Sequence, residues 1–217
     1  MTINPLPANI TGALQVCAGL TTTLGDVTSG GAWSSTATSV ASVDASGVVT
    51  GVAAGTADIY YTLSATGCKV SANATVNPLP SAITGTLQVC EGLTTALSDA
   101  DAGGTWVSSN PTVATIGVSS GVATGVVAGV STITYQLPTS CLITANLTVN
   151  PVPANVTGTM QVCSGLTTTL SDVTTGGNWS SSSVATASVD ASGVVTGGTA
   201  GVATITYALT TGCQMTA

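Results

Sequence analysis

The chain has 217 residues, of which only 4% are charged: eight are acidic, one is basic (Lys69) and none is His. With a net charge of −7 it has no surface able to neutralise phosphates, which excludes nucleic acid as a partner. No apolar run is long enough to span a bilayer, yet 44% of the residues are apolar and fall in strand periodicity, so the chain reads as folded rather than disordered. Phe is absent, so each core must be thin and built from small aliphatic residues. Met1-Thr2-Ile3 lacks the charged head and apolar stretch of a signal peptide, and the sequence reads as a mature form or an excised piece.

In chain order, the first elements are short strands predicted at Asn9–Thr11, Leu14–Cys17, Thr21–Val27, Ala32–Ser35, Ser39–Asp44, Val48–Val52 and Thr56–Ser64, with a closing strand at Lys69–Val76. Gly30-Gly31 precedes Trp33 and lets the chain swing into a central strand, and Asp44-Ala45-Ser46-Gly47 is the clearest turn. The same series then returns. Cys17, Cys90 and Cys163 are spaced by 73 residues, as are Trp33, Trp106 and Trp179. Cys68, Cys141 and Cys213 follow at steps of 73 and 72. The period divides the chain into repeats at 4–76, 77–149 and 150–217, with residues 1–3 as the tail strand of a preceding repeat and the last closing strand incomplete. Each repeat opens with a proline pair, Asn-Pro-Leu-Pro at 4–7 and 77–80 and Asn-Pro-Val-Pro at 150–153. Pro fixes its own φ and extends the residue before it, so these junctions predict a stiff linear rod.

The best-kept stretch is Ser42–Tyr61, which returns as Thr115–Tyr135 and Ser188–Tyr207. In its second half Ile59, Tyr61 and Leu63 alternate with Asp58, Tyr60 and Thr62, which predicts a strand with one buried face. No stretch has useful helix periodicity. The fold class is all-β, three tandem sandwiches.

Trp-Ser-Ser, Val-Ala-Ser-Val-Asp-Ala-Ser-Gly-Val-Val-Thr-Gly and Ala-Gly-Thr-Ala before an alternating strand resemble the bacterial immunoglobulin-like domain of group 2. The added Val-Cys-x-Gly-Leu-Thr-Thr and Gly-Cys elements look like the variant found in very large secreted surface proteins of gliding Gram-negative bacteria. The resemblance covers all three repeats and implies immunoglobulin-like sandwiches, an extracellular place and adhesin or stalk roles. It brings no catalytic residues. The second repeat departs from the pattern, with Ile116-Gly117-Val118-Ser119-Ser120 in place of the Asp turn.

Two Cys per repeat, with no clustered ligands for a metal, are read as one staple inside each repeat: Cys17–Cys68, Cys90–Cys141 and Cys163–Cys213. A thin domain of this size gains from such a bridge; buried free thiols in a reducing compartment are the competing reading. Trp33, Trp106 and Trp179 are assigned to the core, packed on an inter-sheet disulfide, with Tyr61, Tyr135 and Tyr207 beside them. Asp99 and Asp101 could be imagined as an acid pair for sugar hydrolysis, but they occur in one repeat only, in a Gly-rich turn, without a base or nucleophile. Calcium would need more oxygen ligands than any Asp spacing here supplies. Thr21-Thr22-Thr23 and Thr167-Thr168-Thr169 recur only once per repeat, become Thr94-Thr95-Ala96 in the middle one, and do not form the flat lattice that ice binding needs. Asn9, Asn73, Asn146, Asn155 and Asn178 head N-x-Ser/Thr triplets, read as coincidence in a Thr-rich chain.

These observations predict a non-enzymatic extracellular rod or fibre segment of a surface adhesin or filament. It needs no cofactor. Its partners are other copies of itself or adjacent repeats of a longer chain, met end to end and by strand addition at the third repeat, where Met1-Thr2-Ile3 of another copy matches the absent residues. The alternative is an array of carbohydrate-binding modules that meets a surface glycan through outward Tyr60 and hydroxyls.

Overall fold

A computed structural model describes all 217 residues, and every regular element in it is a strand. The first repeat holds β1 (Thr11–Gly12), β2 (Gln15–Cys17), β3 (Thr21–Gly25), β4 (Gly31–Ser35), β5 (Ala41–Val43), β6 (Val48–Gly51), β7 (Gly55–Leu63) and β8 (Lys69–Asn77). The second holds β9 (Thr84–Gly85), β10 (Gln88–Cys90), β11 (Thr94–Ser98), β12 (Thr105–Ser108), β13 (Ala114–Ile116), β14 (Val122–Gly125), β15 (Gly129–Gln136) and β16 (Leu142–Asn150). The third holds β17 (Thr157–Gly158), β18 (Thr167–Ser171), β19 (Asn178–Ser181), β20 (Ala187–Val189), β21 (Val194–Gly197), β22 (Ile205–Ala208) and β23 (Gln214–Thr216). Met1–Ile3 form no strand, and Met1 and Ile3 lie exposed.

The first sandwich sets the sheet β1-β3-β6-β5 against β2-β8-β7-β4. Within the second of these sheets, β2 runs parallel to the end of β8, with Cys17 opposite Asn77, and β7 pairs antiparallel with β8 along eight residues. The second repeat has the same orders, β9-β11-β14-β13 and β10-β16-β15-β12. The third keeps β17-β18-β21-β20, but its other sheet is reduced to β19-β22-β23. The chain divides into two compact units. One comprises residues 1–82 with the segments 99–105 and 135–143; the other comprises 83–98, 106–134 and 144–217.

Strand alternation puts Ala57, Ile59 and Tyr61 of β7 inside the first sandwich with Ala74 and Val76 of β8, all buried, while Asp58, Tyr60 and Thr62 look outward. Val16, Leu24, Ala41 and Val49 complete this core. The Tyr61 hydroxyl donates to the Thr28 carbonyl at 2.6 Å and accepts from the Gly31 N–H at 3.0 Å, so a ring buried for its area is also fully bonded at its tip. Tyr207 does the same with Thr174 and Gly177, and Tyr135 with Asp101 and Gly104. A side chain at Gly31 would collide with the Tyr61 ring, which is what the second glycine of each Gly-Gly pair is for.

Trp106 is buried, and Trp33 and Trp179 are half-buried. Trp33 leans on Tyr61 at 4.8 Å between ring centroids and Trp179 on Tyr207 at 4.7 Å. The expected packing of each Trp on a cystine is therefore corrected: in the first and third repeats the ring meets its tyrosine, because no cystine crosses either sandwich.

Candidate functional site: the cystine junctions and the open third sandwich

Two disulfides are present, and neither is internal to a repeat: Cys17 bonds Cys141 and Cys90 bonds Cys213, each with Cα atoms 5.6 Å apart. Cys68 and Cys163 are free. The pairings expected from the sequence, Cys17–Cys68, Cys90–Cys141 and Cys163–Cys213, are overturned by strand length. Cys68 sits just before β8, and Cys17 stands opposite Asn77 at the far end of that nine-residue strand. Nine residues of strand span about 30 Å, whereas bridged Cα atoms lie within about 7 Å. The period hid this. A cysteine that recurs once per repeat has the same spacing whether its partner belongs to its own repeat or to the next.

Each bridge therefore clasps the end of one repeat to a turn of the following one. Cys141 lies in the β15–β16 turn with its Sγ 4.0 Å from the Asn77 carbonyl, and Cys213 lies 4.0 Å from the Asn150 carbonyl. Both are buried, at 1% exposure. Between the clasped groups runs the proline pair, and its second member (Pro7, Pro80 or Pro153) is buried in every repeat. The residue after it is tied down as well. The Ala8 N–H donates to Thr28 Oγ1 and the Ala154 N–H to Thr174 Oγ1, each at 2.9 Å. In the second repeat the Ser81 N–H and Oγ both donate to Asp101 Oδ2 at 2.7 Å. The Ser81 hydroxyl holds the Asp101 carboxyl below the usual carboxylate range. Asp99 Oδ1 in turn accepts the Asp101 N–H, so the two carboxylates fasten a turn.

The third sandwich is open on one side. In the first, Gly55, Thr56 and Ala57 of β7 pair with Val76, Thr75 and Ala74 of β8. The equivalent Gly201, Val202 and Ala203 have no strand beside them, and β22 begins only at Ile205, bonded to Ala217. Gln161–Cys163, equivalent to β2, is not a strand either, since its parallel partner is the same absent segment. A groove of about 560 Å³ lies there, lined by Val162, Leu170, Val195, Ala203, Ile205 and Ala217 among others. The core records the loss. Ala41 and Ala114 are fully buried but Ala187 is not, and Ala203 is only half-buried where its counterpart Ala57 is 2% exposed.

Other sites considered in the sequence are plain in place. Lys69 Nζ stands 4.1 Å over the Tyr60 ring, so the outward aromatic is covered by the chain's one cation. No group of three or more His, Cys, Asp or Glu side chains is placed to hold a metal, and no helix is long and apolar enough to cross a membrane.

Comparison with known proteins agrees with the local sequence. The family described as "Bacterial Ig-like domain (group 2)" matches residues 10–77. Ice-binding protein 1 of Shewanella frigidimarina (strain NCIMB 400) is 33% identical over 211 residues. That match takes in 83% of this chain and 23% of that protein, so the chain spans about a quarter of the curated relative's length. Among solved structures, a C-terminal 282-residue fragment of intimin in complex with the intimin-binding domain of its translocated receptor aligns with a TM-score of 0.45 at 17% identity, over 69% of this chain and 67% of that one. Invasin, a bacterial integrin-binding protein, aligns with a TM-score of 0.41 at 17% identity, over 99% and 60%. Domains 1–6 of the surface layer protein SbsC align with a TM-score of 0.31 at 18% identity, over 98% and 40%. The first repeat is thus a bacterial Ig-like domain of group 2, and the second and third are built on its plan.

Proposed function

We infer that this chain is a non-enzymatic segment of an extracellular bacterial surface protein, a stiff rod or fibre element that associates end to end and carries mechanical load between what lies before and after it. The observation that carries this reading is the clasp itself. A bond from each repeat to the next adds nothing to a single binding site but stops neighbouring domains from separating under force. Disulfides of this kind also persist in oxidising surroundings outside the cytosol. A surface with so few charges, exposing Leu20, Leu93 and Leu166 at equivalent positions, repels other copies weakly. The carbohydrate-array reading loses support because Tyr60 is covered and its counterparts are Thr134 and Thr206.

Pulling single molecules by their two ends tests this. With both bridges intact the shortest covalent path leaves residues 18–89 and 142–212 out of line. The oxidised chain should extend to about a third of the length reached after reduction. Equal extension with and without reductant would contradict the mechanical reading, and selective binding to one glycan on an array would favour the carbohydrate alternative.

A further inference from the structure

We propose that Asn155 and its counterpart Asn9 are attachment sites for N-linked glycan, taken from a lipid-diphosphate oligosaccharide donor. The inference rests on the extracellular part of the reading above, because N-x-Ser/Thr triplets serve as acceptors on the surface loops of secreted proteins.

Four asparagines of the chain precede proline, and every other one heads such a triplet. In the sequence these triplets look alike; in the fold they part into two kinds. Asn73 in β8 donates its Nδ2–H to Asp58 Oδ1 at 2.9 Å, and Asn146 in β16 accepts from Thr132 Oγ1 at 3.0 Å. Asn178 stands in β19, paired along the ladder to β22. Asn155 and Asn9 lie outside every strand, exposed, and no hydrogen bond reaches either side chain. Their triplets are built alike: Val156 and Ile10 pack on the cores, and Thr157 and Thr11 return to the surface, as strand-like alternation requires. Asn155 has a complete repeat on its N-terminal side, so its exposure is a property of the repeat.

The neighbouring turn points independently to a covering group. The Ala154 N–H is bonded to Thr174 and the Ala8 N–H to Thr28. The residues just before those threonines, Val173 and Val27, stand in solvent at 86% and 89% exposure. The middle repeat drops both features together. Ala82 replaces the asparagine, Ala100 replaces the valine, and Asp101 brings a further charge to the turn. Where the turn reads Asp-Val-Thr the acceptor is present, and where it reads Asp-Ala-Asp it is absent. A glycan is bulky and solubilising. It would shield Val173 and Val27 on a chain with too few charges to keep copies apart.

In the transfer, Asn155 Nδ2 attacks the anomeric carbon of the donor sugar. The new C–N bond forms as the C–O bond to the diphosphate breaks. The lipid diphosphate leaves with that electron pair, and one of the two amide protons passes to a base of the transferase.

The test has two arms. In the first, intact source cells are labelled with a membrane-impermeant amine reagent, which reports through Lys69, the one lysine. The full chain is then recovered and its peptic peptides are weighed. Sugar-bearing peptides should contain Asn155 and Asn9, and those of Asn73, Asn146 and Asn178 should be bare. Asn155→Gln and Asn9→Gln should each abolish the sugar mass at that position. In the second, the folded, unmodified chain is incubated with a bacterial oligosaccharyltransferase and a lipid-diphosphate oligosaccharide. It should be labelled at the same two asparagines, and Ala82→Asn should add a third site, labelled to the same extent as Asn155. Labelling of the strand asparagines as readily as the loop ones would overturn the proposal, as would failure at both Asn155 and the Ala82→Asn site. A chain that carries the surface label but no sugar would defeat the glycan and leave the extracellular reading standing. A chain with neither would defeat both.

Discussion

The first and third sandwiches share nearly all their sequence pattern and differ by one strand segment. In the first, β8 runs its full nine residues and closes a core in which Ala41, Val49 and Ile59 are wholly buried. In the third, β23 has three residues, and the buried cluster shrinks to Leu170, Val195 and Ile205. The difference shows that the last strand of this fold carries two jobs. It pairs with β7 and β2 at once, and its final residue, Asn77, is the point on which the clasp to the next repeat is set.

The largest expected effect concerns the clasp. Cys141→Ser opens a closed loop of 124 residues and should lower stability by about 5 kcal/mol on the chain-entropy account. Cys68→Ser, at the equivalent but unbonded position of the first repeat, should change a denaturant midpoint very little. Equal losses from both would erase the distinction between bridged and free cysteines. Next come Ile59→Ala and Ile205→Ala, the same deletion at matching sites. The first should cost about 4 kcal/mol, since a packed core cannot collapse around it, and the second distinctly less, because its cavity joins an open groove. Thermal melts of the two variants decide this, and a larger loss at Ile205 would contradict the open-core account.

Hydrogen exchange sharpens the contrast without mutation. The amide of Ala57, which faces β8 in the β7–β8 ladder, should exchange slowly, and that of its counterpart Ala203, with no strand beside it, far faster. The smallest effect is on acid stability. The Ser46 hydroxyl holds the Asp44 carboxyl below its ordinary value of 3.8, and Ser192 does so for Asp190. A depressed folded pKa means stability that is present above the unfolded value and lost as pH falls through the folded one. Asn at both positions should therefore reduce the slope of a melt series between neutral pH and the acid range, leaving the part that Asp101 of the second repeat contributes through its bond from Ser81.

Most of this architecture was legible in the residues. Alternation around Ile59, Tyr61 and their counterparts placed the buried faces, and the Asp44–Gly47 turn follows from Asp44 Oδ1 accepting the N–H groups of Ser46 and Val48, with Gly47 at a φ of +82°. The cystine partners were not legible from spacing, because periodicity is blind to which repeat a partner belongs to. Strand length was the missing signal: the nine residues of β8 hold Cys17 and Cys68 at opposite ends. The packing of Trp33 was misplaced for the same reason, since it was inferred from a bridge that is not in its sandwich.

The most direct test of the clasp is the disulfide map of the unreduced chain. Trypsin has a single site, Lys69, so pepsin digestion under acid, with free thiols alkylated beforehand, is the method of choice. The account predicts cystine peptides joining Cys17 to Cys141 and Cys90 to Cys213, with Cys68 and Cys163 recovered alkylated in a monomer. Peptides joining Cys17 to Cys68, or Cys163 to Cys213, would place the bridges inside single repeats and contradict it.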